Sequence, residues 1–217
     1  EVSDALRAAW DVVNPGVLVP DYSKDEIFRF TQGDQLVALS QGESKTYAQE
    51  GIEVNDKGHV TAKLYSNGYA WFFYPSVKIN KLDTATAVVK EAYVTLSIDR
   101  EQDFSNQTRN VFLKTNPMKV VDGKIDPIIT FNHLTSLLRF HVLNQTGNAN
   151  LVVNEIKLEA DDFIFPLVAD YNIASQETTI DEFSNFQNMA TSLTWKERFV
   201  QDETKAKMTY VDSLGMS

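Results

Sequence analysis

The stretch "ITFNHLTSLLRFHV" (residues 129–142) sets two of the three histidines of a 217-residue chain, with an arginine, inside an apolar run. Taken as a metal or acid–base site, it points to an enzyme; taken as a β-strand, it points to a sandwich. Side chains along a strand alternate between faces. One face then carries Ile128, Thr130, Asn132, Leu134, Ser136, Leu138, Phe140 and Val142, and the other carries Ile129, Phe131, His133, Thr135, Leu137, Arg139 and His141. From Leu134 onward the first face is mainly apolar and the second mainly polar, which puts His133, Arg139 and His141 on an outer or rim face. Arg139 beside His141 would repel a metal ion. Two histidines eight residues apart on one strand are also separated by roughly 27 Å, too far to share one. The alternation therefore reads as a half-buried strand.

The same pattern extends through the chain. "GDQLVALSQGE" (33–43) holds the apolar run Leu36, Val37, Ala38 and Leu39 between two glycines. In "HVTAKLYSNGYAWFFYP" (59–75), Asn67-Gly68 supplies the left-handed conformations of a tight turn, so "VTAKLY" and "YAWFFY" are expected to pair across it. Trp71, Phe72, Phe73 and Tyr74 are consecutive and must occupy both faces of a strand, which favours a buried central strand over an exposed stacking platform. "AYVTLSID" (92–99) alternates Tyr93, Thr95 and Ser97 against Val94, Leu96 and Ile98. Turn chemistry separates these runs and no long helical pattern intervenes, so an antiparallel all-β sandwich is expected.

The ends differ from the middle. "DALRAAWDVV" (4–13) suits a short helix or an extended arm, closed by Asn14-Pro15-Gly16. Beyond residue 170 the sequence is more polar, and Phe183, Phe186, Met189, Ala190 and Leu193 recur at roughly helical intervals. The expected organisation is an N-terminal arm over residues 1–20 and a β-sandwich domain over residues 21–169. Residues 170–217 form a short polar extension or the start of an incomplete second β-domain.

Composition narrows the functional classes. A net charge of −10, with no basic cluster, repels nucleic-acid phosphates and anionic lipid, so no nucleic-acid partner is expected. The absence of cysteine removes disulfides, thiolate metal sites and cysteine nucleophiles. His59 follows Gly58 at a turn with no evident partner. The acid pairs Asp161-Asp162 and Asp25-Glu26 lack the spacing of a calcium loop and read as solvated turns. No phosphate-binding glycine loop, nucleophile elbow or zinc-protease motif occurs. No metal, cofactor or enzymatic activity is expected. The enzyme alternative would need carboxylates from separate strands, such as Asp99 and Asp161, to converge.

Taken in order, "FRFTQGDQLVALS", "AWFFYPS", "VTLSIDREQDF", "ITFNHLTSLLRFHVLN" and "VNEIKLEA" resemble the fimbrillin (FimA/Mfa1-like) superfamily of Bacteroidales over about residues 27 to 165. The matching positions are Phe30, Gly33 and Asp34 at a strand start, Phe73, Tyr74 and Pro75 closing an aromatic run, and Phe131, His133, Leu134, Leu138, Phe140 and Val142. The resemblance implies a transthyretin-like Greek-key β-sandwich, exported as a lipoprotein with a lipid anchor in the precursor. It implies life on the outer-membrane surface as a fimbrial subunit whose partners are other subunits, with host or bacterial surface ligands also in reach. Assembly there follows cleavage after an arginine and filling of the vacated groove by a neighbour's strand. Arg7 and Arg29 are the early arginines, and Arg7 is favoured because Arg29 falls in an expected strand. The chain departs from the pattern in having only about fifty residues after Ala169, where a full subunit carries a second β-domain. The alternative function is a surface glycan-binding module, for which Trp71, Tyr65 and Trp195 are the candidate stacking residues.

Overall fold

The computed structural model describes residues 30–103, 110–125, 129–135, 152–163, 165–179 and 188–196, and, as backbone alone, 199–202 and 207–210. Among the described residues there are strands and turns but no α-helix, so the chain is all-β. The larger sheet has six strands. In it β1 (Gln35–Gln41) lies between β2 (Thr46–Glu53), at one edge, and β3 (Gly68–Tyr74), at the centre, antiparallel to both. β3 pairs with β7 (Leu113–Thr115) along one end and β8 (Met118–Val120) along the other, and β9 (Phe131–His133) extends the sheet beyond β7. A four-stranded sheet runs in the order β14 (Glu177–Thr179), β13 (Val168–Asn172), β5 (Tyr93–Ser97), β4 (Ile79–Asn80).

Parity explains how the two sheets pack. Val37 and Leu39 of β1 and Phe73 of β3 share a face, and they join Ile79, Val94, Leu96 and Tyr171 of the second sheet in one buried cluster. That shared core makes the pair of sheets a sandwich. The opposite face carries Leu36, Ala38, Ala70, Phe72 and Tyr74, buried in a second cluster with Val54, Val60, Val111, Val120 and Ile129. Because β1 and β3 are covered on both faces, they read as continuous apolar runs, as the "LVAL" and "AWFFY" stretches led one to expect.

The cover of that second face differs from expectation. "VTAKLY" does not pair across Asn67-Gly68 with β3; residues 60–65 form no strand. Val60, Ala62 and Leu64 still turn inward and Thr61 and Lys63 outward, as in an extended chain. The tethers are side chains: the Lys63 amide donates to Gln49 Oε1 (2.7 Å) and the Tyr65 amide to Ser40 Oγ (2.9 Å). The segment lies across the sheet face, where main-chain ladders are out of reach, so polar side chains take the amides. Gly68 comes so close to β1 that an added Cβ would sit 1.8 Å from the Gln41 carbonyl oxygen.

Residues near the C-terminal end also depart from expectation. The domain break expected after residue 169 falls inside β13, which pairs with β5 from Val168↔Ser97 to Asn172↔Tyr93. Tyr171 and Ile173 lie in the sandwich core, so residues expected to lie in an extension complete the domain. The helical spacing of Met189, Ala190 and Leu193 gives strands instead: β15 (Met189–Ala190) and β16 (Ser192–Trp195). Ala190, Ser192 and Thr194 are buried at every second position, and that period of two overrides the apolar spacing. Phe183 and Phe186 lie outside the described residues. β15 pairs with β12 (Phe165–Pro166), while β16 lies between β11 (Ile156–Glu159) and β6 (Glu101–Gln102), parallel to the latter. A further small sheet joins β10 (Val152–Val153), β17 (Phe199–Asp202) and β18 (Lys207–Tyr210).

Candidate functional site

Residues from three separated stretches meet where the chain enters β1. The backbone reverses at 31–34, with Gly33 at a φ of 90°, a conformation glycine adopts without steric cost. Asp34 closes the turn: its amide donates to the Thr31 carbonyl (3.0 Å), and its Oδ2 accepts from both the Thr31 amide (2.5 Å) and hydroxyl (2.9 Å). The turn is fixed to the segment after β2 by Gly33 N–H to the Val54 carbonyl (2.9 Å) and Val54 N–H to the Asp34 carbonyl (2.8 Å).

This reversal sets Phe30 against the sheet. Its ring lies 5.1 Å from that of Tyr74, nearly perpendicular at 85°, and 5.3 Å from that of Phe131 on β9. Edge-to-face contacts of this kind add to the burial of the rings themselves. The Tyr74 hydroxyl donates to Asp34 Oδ1 (3.3 Å). Burial, and then the neighbouring Asp34 carboxylate, push the Tyr74 phenol well above its ordinary range, so it stays neutral and remains a donor. Phe30, Gly33, Asp34, Tyr74 and Phe131 thus form one corner. Arg7 and Arg29 lie outside the described residues.

The three candidate stacking aromatics do not form one platform. Trp71 shares the face of Leu39, its register partner, and is half-buried against the inter-sheet core. Tyr65 approaches from the other face, its amide on Ser40 Oγ and its ring against Gly42. Trp195 belongs to β16, opposite Ile156, in a different sheet. The aromatic that does neighbour Trp71 is Tyr69, two residues away on the same face, with ring centroids 6.4 Å apart and 46% of Tyr69 exposed. The alternation that placed the run "YAWFFY" on two faces could have singled out this pair.

The remaining candidates are dispersed. Asp99 accepts from Asn110 Nδ2 (3.4 Å) and its amide donates to Asn110 Oδ1 (2.6 Å), whereas Asp161 is exposed in the turn after β11. His133 is exposed at the end of β9, and His59 belongs to a turn organised by Asn55, whose Oδ1 accepts the His59 amide (2.9 Å). Arg139 and His141 lie outside the described residues. No group of three or more His, Cys, Asp or Glu side chains that could hold a metal ion occurs among the described residues. Comparison with protein-family models, curated proteins and solved structures finds no match.

Proposed function

We propose that this chain is a cell-surface fimbrial subunit or adhesin that assembles by exchanging β-strands with neighbouring subunits. The observation that carries the reading is the corner formed by Phe30, Asp34, Tyr74 and Phe131. These are landmark positions of the fimbrillin resemblance, and their meeting in space gives the order and spacing of the motifs a physical cause. An all-β sandwich also suits the mechanism, because a strand added to a sheet gains a main-chain ladder and pockets for alternate side chains. The transthyretin-like Greek-key connection, a lipid-anchored precursor, an outer-membrane location and a non-enzymatic role belong to the same reading.

The test is assembly itself. The purified chain, before and after treatment with an arginine-specific protease, is followed by light scattering and by denaturing gels of unheated samples. Ladders of detergent-resistant oligomers after cleavage are expected, since strand exchange gives kinetically stable joints. A chain that stays monomeric both before and after cleavage overturns the reading.

A second reading, a glycan-binding surface module, is favoured by the partly exposed Tyr69–Trp71 pair. Two tilted rings beside each other offer apolar faces to a sugar. Binding on a glycan array that is lost in both Tyr69→Ala and Trp71→Ala would support it, and no binding across a broad array would remove it.

A further inference from the structure

We infer that the Tyr69–Trp71 pair, with Lys114, Lys119 and Lys124 along one side of it, is a binding strip for an anionic polysaccharide whose sugars carry carboxylates. The inference rests on the glycan-binding reading and deepens it by naming the class of sugar; it does not depend on assembly by strand exchange.

The three lysines stand five residues apart in "KTNPMKVVDGK" (114–124), so the sequence shows no basic run. The sheet brings them to one face. Opposed residues of an antiparallel pair share a face. Lys114 on β7 lies opposite Phe73, and Lys119 on β8 lies opposite Tyr69. β8 runs on into a two-residue turn, Asp122-Gly123, with φ of 50° and 72°. Val121, two residues past Lys119 and so on the same face, exchanges both main-chain hydrogen bonds with Lys124 across that turn (2.9 Å each). Phe73, Trp71 and Tyr69 share this face of β3 and step outward along it: Phe73 is buried, Trp71 half-buried and Tyr69 exposed. The face is thus aromatic on β3 and cationic beside it, with the exposed Val121 adding apolar surface between Lys119 and Lys124.

The charges on the strip are uncompensated. The ion pairs among the described residues belong to Lys157 and Lys196. Lys119 and Lys124 are exposed. Lys114 Nζ meets neutral groups: the Tyr171 ring at 5.3 Å, Asn116 Oδ1 at 3.5 Å and Gln176 Oε1 at 3.4 Å. Asp122, in the turn, is the acid nearest in sequence, and its amide donates to Asn67 Oδ1 (3.2 Å). The spacing of the cations selects the ligand. Four residues of β3 separate the partners of Lys114 and Lys119, about 13 Å along the strand. A nucleic-acid strand carries a charge about every 3.4 Å, and a chain of net charge −10 repels so dense a polyanion. A uronic-acid polymer spaces its carboxylates by whole sugar rings, and those rings present C–H faces that Tyr69 and Trp71 can cover.

The test is calorimetric titration of the full chain with oligomers of polygalacturonate, alginate and hyaluronan, each beside the same oligomer with its carboxyls reduced to alcohols. Binding to at least one of the three is expected, weakening with added salt and at least about tenfold weaker for the reduced form. The double variant Lys119→Gln/Lys124→Gln, changed only at exposed side chains, is expected to lose about fivefold in affinity. Tyr69→Ala is expected to lose about tenfold, with circular dichroism establishing that each variant is folded. Equal binding of the reduced oligomer overturns the inference while leaving the glycan-binding reading in place. Absence of binding to all three overturns it as well, and the broad glycan array then reports on the wider reading separately. Unchanged affinity in the double lysine variant, or equal affinity for a single-stranded DNA oligonucleotide, also overturns it.

Discussion

Phe30 stands edge-on to Tyr74, the ring centroids 5.1 Å apart and the planes at 85°, although forty-three residues separate the two in sequence. The contact joins the point of entry into β1 to the far end of β3, and Phe131 closes it from β9. The half-buried Phe30 ring is therefore a structural member of the larger sheet's second core. Phe30→Ala should cost about 2 kcal/mol, below the range of a fully buried phenylalanine because part of the ring meets solvent. The shift of the urea midpoint measures it; Phe30→Leu should recover about half.

Tyr74 gives the corner a pH dependence whose sign is fixed by the direction of its shift. Burial and the Asp34 carboxylate raise the phenol's pKa in the fold above its unfolded value. The fold therefore prefers the neutral phenol. The stability this contributes is complete below the unfolded pKa of about 10 and is lost as pH rises from there toward the folded value. Relative to Tyr74→Phe, the native chain should lose about 1.4 kcal/mol per pH unit above pH ~10. Unfolding free energies of the two proteins at a series of alkaline pH values test this; a constant difference across the series would refute it.

A side-chain hydroxyl repairs the main ladder of β3. The strand changes partner along its length, from β7 at Phe73 and Tyr74 to β8 at Gly68, Tyr69 and Ala70, and the amide of Phe72 falls in the gap. Thr115 Oγ1 accepts that amide (3.0 Å) in a buried setting. Thr115→Val keeps the shape and removes the acceptor, leaving an unpaired buried N–H. It should cost about 1–3 kcal/mol in chemical denaturation, whereas Thr115→Ser should retain most of the stability.

The sequence reveals the β-strands more clearly than what lies between them. β1, β3 and β5 are legible because burial imposes either a continuous apolar run or strict alternation, and both survive without knowledge of the partner. "VTAKLY" misleads because alternation records which side chains are buried, not where the amides bond. The answer to the second question lies in Ser40 and Gln49, on other strands. At residues 189–195 the apolar residues alone suggest a helix, while the period of two is carried by Ser192 and Thr194, buried polar residues that a hydrophobic pattern omits. The corner was half legible. Its members are the residues on which the resemblance rests, and the Thr31–Asp34 turn is local, but that Asp34 would also reach Tyr74 is a tertiary fact with no local signature.

Gly68 illustrates how a dipeptide can be recognised for the wrong reason. Asn67-Gly68 does not turn a hairpin; the glycine is required because its φ of 137° is strained for an L side chain and because β1 lies against its Cα. A methyl at Gly68 would have to displace the Gln41 backbone, which is held in two ladders. Gly68→Ala should therefore cost about 3 kcal/mol or more, a backbone-strain effect added to a clash. Gly33→Ala should cost about 1–2 kcal/mol, since it meets the conformational penalty but open space around the new methyl. Thermal midpoints of the two variants should separate in that order, and equal midpoints would show that β1 yields to the added methyl.

Residues 170–179 lie within the sandwich, so a chain ending at Ala169 is expected to be too short to fold. Cutting after Ala169 removes three of the five register pairs between β13 and β5, all of β14, and the core side chains Tyr171 and Ile173. Tyr171 packs 6.2 Å from Phe73 across the two sheets, and its loss exposes the inter-sheet core on one side. Burial of each such side chain is worth about 1.5–3 kcal/mol, and a whole domain of this size is stable by only about 5–15 kcal/mol. A chain ending at Ala169 should lose cooperative unfolding and show the dispersed, weakly protected state of an incomplete core. If residues 170–217 were a dispensable extension, the shortened chain would retain a sharp thermal transition near that of the full protein. Calorimetry of the two chains decides between these outcomes. The double variant Tyr171→Ala/Ile173→Ala in the full chain provides a check, since it should reproduce much of the loss without removing any backbone.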